Sequence, residues 1–249
     1  MTSLHKKYKQ KTIKRKIASI KAFFNYLEQN DIISDNPFRK INVKFKESII
    51  LPKIIPRHEI EQLLNYMYSC SVSAKTVLRD LAVVEMCFAT GARVSEISNM
   101  RLENIDLETG LIRLNGKGKK ERFVQIISLP VLELLKEYYI ENKISIDSCG
   151  YFFINNRGRR FSEQSIRLMI KKYVSLAGIR RNITPHMFRH SFATYLIEDG
   201  VDVTYVQRIL GHSSIRTTQI YIHIAMRQQT EILKRCHPRI KMRIGELVA

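Results

Sequence analysis

The sequence predicts a mainly α-helical chain that carries one small antiparallel β-sheet. Apolar residues recur in steps of three and four along most of its 249 residues, the period of helices with one buried face. Two short apolar runs, Leu111–Leu114 and Arg122–Ile126, flank Gly116-Lys117-Gly118-Lys119-Lys120, which reads as the turn of a strand hairpin. No internal repeat and no low-complexity segment interrupts this pattern.

The first helix is expected over residues 11–28, where Ile13, Ile17, Ile20, Phe24 and Leu27 mark one face. Lys11, Lys14, Arg15, Lys16 and Lys21 lie on the other. A lone amphipathic helix has little to bury itself against, so residues 1–45 read as part of a domain. Asp35-Asn36-Pro37 closes it with a turn. Residues 46–56 hold Pro52 and Pro56 without helical period and read as an extended linker. Residues 57–249 form the second domain. Its helices are expected over Glu59–Met67, Thr76–Ala89 and from Val94 to just before Leu102, with Gly91 stopping the second. After the hairpin come a helix over Leu132–Glu141 and a short strand, Tyr151–Ile154, turning at Asn156-Arg157-Gly158. Ser162 suits the N-cap of a helix that ends at Gly178. Further helices are expected at 185–198, about 202–209, 214–222 and 225–235.

Composition narrows the partners. Lys and Arg number 42 against 23 Asp and Glu, a formal charge of +19, which bears on partners and not on fold. Nucleic acid is the leading partner. No run approaches the ~20 apolar residues of a membrane span, so a membrane partner is not expected. The opening Met1-Thr2-Ser3-Leu4-His5-Lys6-Lys7 lacks the apolar core of a signal peptide. Cys70, Cys87, Cys149 and Cys236 lie far apart and form no CxxC, as reduced thiols of a cytoplasmic protein would. No metal site and no cofactor is expected.

The chemistry-bearing residues are spread along the second domain. In Thr184-Pro185-His186 the Thr suits an N-cap and the Pro the first helical position. His186 and Arg189 then share one face of the first turn, where free N–H groups favour an anion. Such a pair grips a phosphate; its plainer reading is a surface ion pair with a capping His. Arg93, at the break after Gly91, can reach a phosphate or pair with Glu96. Lys117, between two glycines, can meet a base or phosphate, protonate a departing oxygen, or stay solvated. Its run lacks the spacing of a P-loop. His212 follows Gly211 at a helix end, and Tyr221 lies nine residues on. Alone, each fits a structural role. A tyrosine of ordinary pKa is a poor nucleophile, but clustered Arg, Lys and His favour its ionised form and offset charge on phosphorus oxygens. Together they fit metal-free chemistry on a phosphodiester through a covalent tyrosine.

The order Arg93, Lys117, His186, Arg189, His212, Tyr221 is specific as a series. The words around it are Ala89-Thr90-Gly91-Ala92-Arg93-Val94-Ser95-Glu96, Gly116-Lys117-Gly118-Lys119-Lys120-Glu121-Arg122, Thr184-Pro185-His186-Met187-Phe188-Arg189-His190-Ser191-Phe192-Ala193-Thr194, Leu210-Gly211-His212-Ser213-Ser214 and Tyr221-Ile222-His223, with His237-Pro238-Arg239 in the tail. On these words residues 11–240 resemble the tyrosine recombinase, or phage integrase, family, and the catalytic part most resembles its Xer branch.

The resemblance implies a recombinase catalytic domain behind a partial helical core-binding domain, of which only the last helix, 11–28, is expected here. It implies Tyr221 as nucleophile, forming a 3′-phosphotyrosyl bond and releasing a 5′-hydroxyl. Arg93 and Arg189 would clamp the non-bridging oxygens and Lys117 would protonate the leaving 5′ oxygen. His186 would assist proton transfer, and His212 would hydrogen-bond the phosphate. The partners implied are double-stranded DNA and three further protomers, as a homotetramer or a heterotetramer with a related recombinase. The final helix, 225–235, would dock on a neighbour. A type IB topoisomerase uses a similar residue set, but as a monomer. A non-catalytic helix-turn-helix binder is the third reading, with Gly91 or Glu198-Asp199-Gly200-Val201 at its turn.

Overall fold

A computed structural model describes residue 8 and residues 10–39, 53–70, 75–116 and 121–211. The chain divides into two compact units, residues 1–50 and 51–249. Lys117, His212, Tyr221 and the helices expected at 214–222 and 225–235 lie outside the described residues. No helix among the described residues is long and apolar enough to cross a membrane.

In the first unit, α1 spans Gln10–Gln29. The expected turn folds back along it. Asn36 donates to Asn25 Oδ1 at 2.8 Å and to Glu28 Oε2 at 3.3 Å, while its own Oδ1 accepts from the Phe38 N–H. Phe24 and Phe38 stack with centroids 5.2 Å apart.

The second unit is built around α3, Lys75–Thr90, whose middle is buried on every side from Leu78 to Cys87. It packs against α2 (Arg57–Ser69), α5 (Leu129–Cys149) and α7 (Pro185–Glu198). A helix buried all round has no solvent face, and the charged residues within it, Arg79, Asp80 and Glu85, find partners inside: Arg79 pairs with Asp80, and Glu85 accepts from Tyr68 Oη. α2 buries Ile60, Leu63 and Met67, the three-and-four spacing of its sequence. The segment before it is pinned to α7: Ile55 N–H donates to Ser191 Oγ at 2.8 Å, and Tyr195 Oη donates to the Ile55 carbonyl.

α4 is shorter than its pattern predicts, Val94–Ser98. Arg101 leaves the helical region because it bridges Tyr151, and Asn104 Oδ1 accepts its N–H; a 3-10 turn, Leu102–Asn104, follows. The hairpin is present as β1 (Leu111–Asn115) and β2 (Glu121–Gln125), with Leu114 opposite Arg122 and Ile112 opposite Val124. Ile112, Leu114, Arg122 and Val124 face inward, and Leu111 and Phe123 face solvent. α5 is longer than expected. It begins after Ser128 with a Pro in its first turn and stops at Gly150, which takes the left-handed φ of 71°. Its last turns expose most of their side chains, so their apolar period is weak.

The strand expected at Tyr151–Ile154 is absent. Only isolated bridges form there, from Tyr151 to Arg101 and from Ile154 to Arg160. The chain bends to bury both Phe152 and Phe153 against Tyr138, whereas a strand would send consecutive side chains to opposite faces. α6 (Glu163–Leu176) is capped by Ser162, whose Oγ accepts from the Ser165 N–H. α8 spans Val203–Leu210, with Asp202 capping its start and Gly211 its end.

Two glycines with left-handed φ separate strain from crowding. Gly91, at +58°, would place a Cβ 2.6 Å from Phe192 Cδ1; Gly178, at +73°, has nothing within 4 Å. Gly178→Ala is expected to cost about 1–2 kcal/mol from backbone strain alone. Gly91→Ala adds about 1–3 kcal/mol of overpacking. Chemical denaturation tests this: the midpoint should fall clearly further for Gly91→Ala, and equal falls would contradict it.

Candidate active site

Three arginines from distant parts of the chain meet at the C-terminal end of α8. The last carbonyls of a helix lack intrahelical donors and carry the negative end of its dipole. Here the carbonyl of Ile209 accepts from Arg122 Nε at 2.8 Å. That of Leu210 accepts from Arg189 Nη2 at 2.6 Å, and that of Gly211 from Arg93 Nη2 at 3.5 Å. Consecutive carbonyls thus hold three different guanidinium groups.

Each arginine is delivered by a local rule of folding. Arg189 stands one turn into α7, which starts at Pro185 with Thr184 in the N-cap position; the Thr184 hydroxyl makes no cap hydrogen bond. Its side chain is buried, and Nη1 donates to the Gly91 carbonyl at 2.8 Å, just past the end of α3. The guanidinium plane is therefore set by two helix C-termini, those of α3 and α8. Arg93 takes the N-cap position of α4, and Glu96 reaches back to its N–H at 2.7 Å, as a helix-start carboxylate does. The Arg93 Nη1 also meets Glu96 Oε1 at 2.9 Å. The pairing of Arg93 with Glu96 thus occurs, and it orients an arginine whose side chain remains 32% exposed.

Glu96 is the junction. Arg122 Nη1 and Nη2 donate to its two oxygens, each at 2.7 Å, in a bidentate pair buried on both sides. Burial by itself pushes the Glu96 carboxyl up, but the hydrogen bonds and charge of Arg122, then Arg93, more than offset that and hold it below the usual carboxylate range. Its stabilising contribution is therefore present above the unfolded-state pKa and lost as pH falls through the folded one. Two guanidinium groups share one carboxylate, so this trio carries net positive charge.

His186 lies at the exposed start of α7, three residues before Arg189. Burial, then Arg189, Arg167 and Arg93, lower its pKa below the ordinary histidine value. The ring is therefore neutral at pH 7, able to donate from one nitrogen and accept at the other. His190 is lowered by burial, then by His186 and Arg189.

The structure thus brings together Arg93, His186 and Arg189. Glu96 and Arg122 are site members that sequence reasoning did not single out as such. Arg122 did leave a signal, because it occupies an inward position on β2 where alternation calls for an apolar side chain. Arg167, on α6, contributes positive potential at His186, and nothing in its sequence context marks it.

Residues 53–228 match the phage integrase family. A tyrosine recombinase of Agathobacter rectalis is 50% identical over 242 residues, covering 95% of this chain and 79% of the relative. Tyrosine recombinase XerC of Thermodesulfovibrio yellowstonii is 37% identical, covering 91% and 76%. Among solved structures, XerA recombinase superposes with a TM-score of 0.63 at 29% identity, over 96% of this chain and 80% of XerA. XerH site-specific recombinase, bound to its difH substrate in a pre-cleavage complex, does so with a TM-score of 0.73 at 26% identity, over 92% and 66%. With a match over most of its length and a relative half identical to it, the chain belongs to the phage integrase family of tyrosine recombinases.

Proposed function

We propose that this site-specific recombinase cuts and rejoins double-stranded DNA through a covalent bond from Tyr221 to the 3′ phosphate. The observation that carries the reading is the arginine cluster at the end of α8, net positive around Glu96 and adjoining a neutral His186. Such a site complements a phosphodiester, and fixed cations favour the pentacovalent transition state over the ground state. Arg93 and Arg189 clamp the non-bridging oxygens. The Tyr221 oxygen forms a bond to phosphorus as the bond to the 5′ oxygen breaks. Lys117 delivers the proton that the 5′ oxygen takes up, His186 assists the transfer, and His212 hydrogen-bonds the phosphate. In rejoining, a 5′-hydroxyl attacks the phosphotyrosyl bond and Tyr221 leaves. The phosphotyrosyl bond conserves the energy of the cut strand, so the cycle balances without an external energy source.

XerH has been seen on its DNA substrate, and the charge of +19 here suits the same partner class. The proposed assembly is a tetramer on DNA, of this chain alone or with a related recombinase, acting in the cytoplasm. Residues 1–45 are read as part of a core-binding domain, 46–56 as a linker and 57–249 as the catalytic domain.

The direct test is adduct formation with a pool of nicked duplexes of randomised sequence. A covalent protein–DNA band is expected from the unaltered chain and not from Tyr221→Phe; no band from the former, or an undiminished band from the latter, contradicts the proposal. Arg189→Ala should slow adduct formation about 100–1000-fold, as loss of an oxyanion donor does. Cleavage within about twofold of the unaltered rate would show that Arg189 is no clamp.

The His186 environment adds a pH signature. Its neutral form is the one that can accept a proton, so activity is lost as pH falls through a pKa that lies below the ordinary value. Under subsaturating DNA, the midpoint of the acid limb of adduct formation should lie below the ordinary histidine value. The limb should vanish in His186→Asn. A midpoint above that ordinary value would contradict this assignment.

A further inference from the structure

We infer that Arg122 is a positioning residue for strand cleavage, orienting both phosphate-clamping arginines at once. The inference rests on the recombinase reading above and assigns work to a residue outside the catalytic series.

A guanidinium at this place on β2 calls for a reason. Val124, two residues on, faces the same way and is apolar, and the cross-strand partner is Leu114. Burying an arginine is unfavourable unless its donors are met, and an apolar side chain of similar size often stabilises a core as well or better. Arg122 is 8% exposed and directs its donors two ways: the fork holds both oxygens of Glu96, and Nε holds the Ile209 carbonyl. An apolar side chain could join neither.

Those two contacts lead to different arginines. Glu96 binds the backbone N–H and the Nη1 of Arg93, so the carboxylate that Arg122 fixes is the one that aims Arg93. Ile209 precedes Leu210, whose carbonyl holds Arg189. Fixing the end of α8 therefore fixes that acceptor as well. The fit is close: a Cβ at Gly211 would lie 2.9 Å from Arg122 Cδ, so glycine lets the helix end rest on the arginine stem. A second buried pair gives the contrast. Arg79 binds Asp80, the Ile154 carbonyl and Asn156, none of which holds another arginine of the site.

The test compares full-length Arg122→Lys, Arg122→Gln and Arg79→Gln in single-turnover adduct formation, with DNA affinity and melting temperature measured alongside. Lysine keeps the charge but has no fork, and cannot serve Glu96 and Ile209 together. Arg122→Lys should bind DNA within about threefold of the unaltered chain yet form adduct at least about tenfold more slowly; Arg122→Gln should lose about 100-fold, as displaced catalytic groups do. Arg79→Gln should lower the melting temperature while its folded fraction cleaves at the unaltered rate.

A pH profile separates positioning from general destabilisation. Glu96 is faced by Arg122 from β2 and by Arg93 from the start of α4. Losing Arg122 removes the larger of the two influences that hold Glu96 low and leaves only Arg93 against burial, so Glu96 should protonate at higher pH and add to Arg122→Gln an acid limb besides that of His186. If Arg122→Gln does not fold, Arg122→Lys decides alone. An Arg122→Lys rate within about threefold of the unaltered one, or a loss that tracks DNA affinity and is matched by Arg79→Gln, overturns the inference. No adduct from the unaltered chain overturns the recombinase reading itself, and this inference with it.

Discussion

The end of α8 is where the second unit is tied together. A helix C-terminus leaves its last carbonyls without partners, and buried ones must find donors elsewhere. In this chain Ile209, Leu210 and Gly211 find them in Arg122, Arg189 and Arg93. Those arginines come from a strand, from one turn into a helix and from the residue before another helix. One satisfied helix end thus sets the relative positions of segments over 100 residues apart, from Arg93 to Gly211. It also fixes the point from which the chain proceeds to His212 and Tyr221.

The electrostatics follow from that gathering. Three guanidinium groups in one place repel, and helix-dipole charge at two C-termini offsets part of the repulsion. Glu96 offsets more, and it is the carboxylate shared by two of the three. What is left is positive, and Arg189, Arg167 and Arg93 add to burial in lowering the pKa of His186. Under the proposed function, a phosphodiester entering such a site meets donors already oriented, so little reorganisation is left to the moment of reaction. The same net charge explains why the buried side of the site needs a carboxylate at all: without one, Arg93 and Arg122 would face each other unscreened.

Much of this was legible in the sequence, for identifiable reasons. The periods of α1, α2, α3 and α7, the hairpin and the caps at Ser162 and Gly211 are local signals, and the structure follows them. The extra length of α5, the early stop of α4 and the bend at Phe152-Phe153 were not legible. The last turns of α5 are mostly exposed and carry a weak period, while the other two depend on distant partners: the Arg101–Tyr151 bridge, and the packing of both phenylalanines on Tyr138, Phe153 stacked and Phe152 edge-on. The site divides the same way. Arg93, His186 and Arg189 stand out by motif, whereas the part played by Glu96 and Arg122 appears only when β2 is laid against α4 and α8. An inward-facing arginine in an alternating strand is the one trace of it that sequence carries.

Glu96 and Arg122 are proposed to act as one unit that aims the arginines. A double-mutant cycle on adduct formation probes that unit, using Glu96→Gln, Arg122→Gln and the pair together. Residues that work through each other couple strongly, and independent ones multiply their losses. If they form one unit, the double variant is slower than the slower single variant by no more than about threefold. A double variant that shows the full product of the two single losses would mean that the two residues act separately.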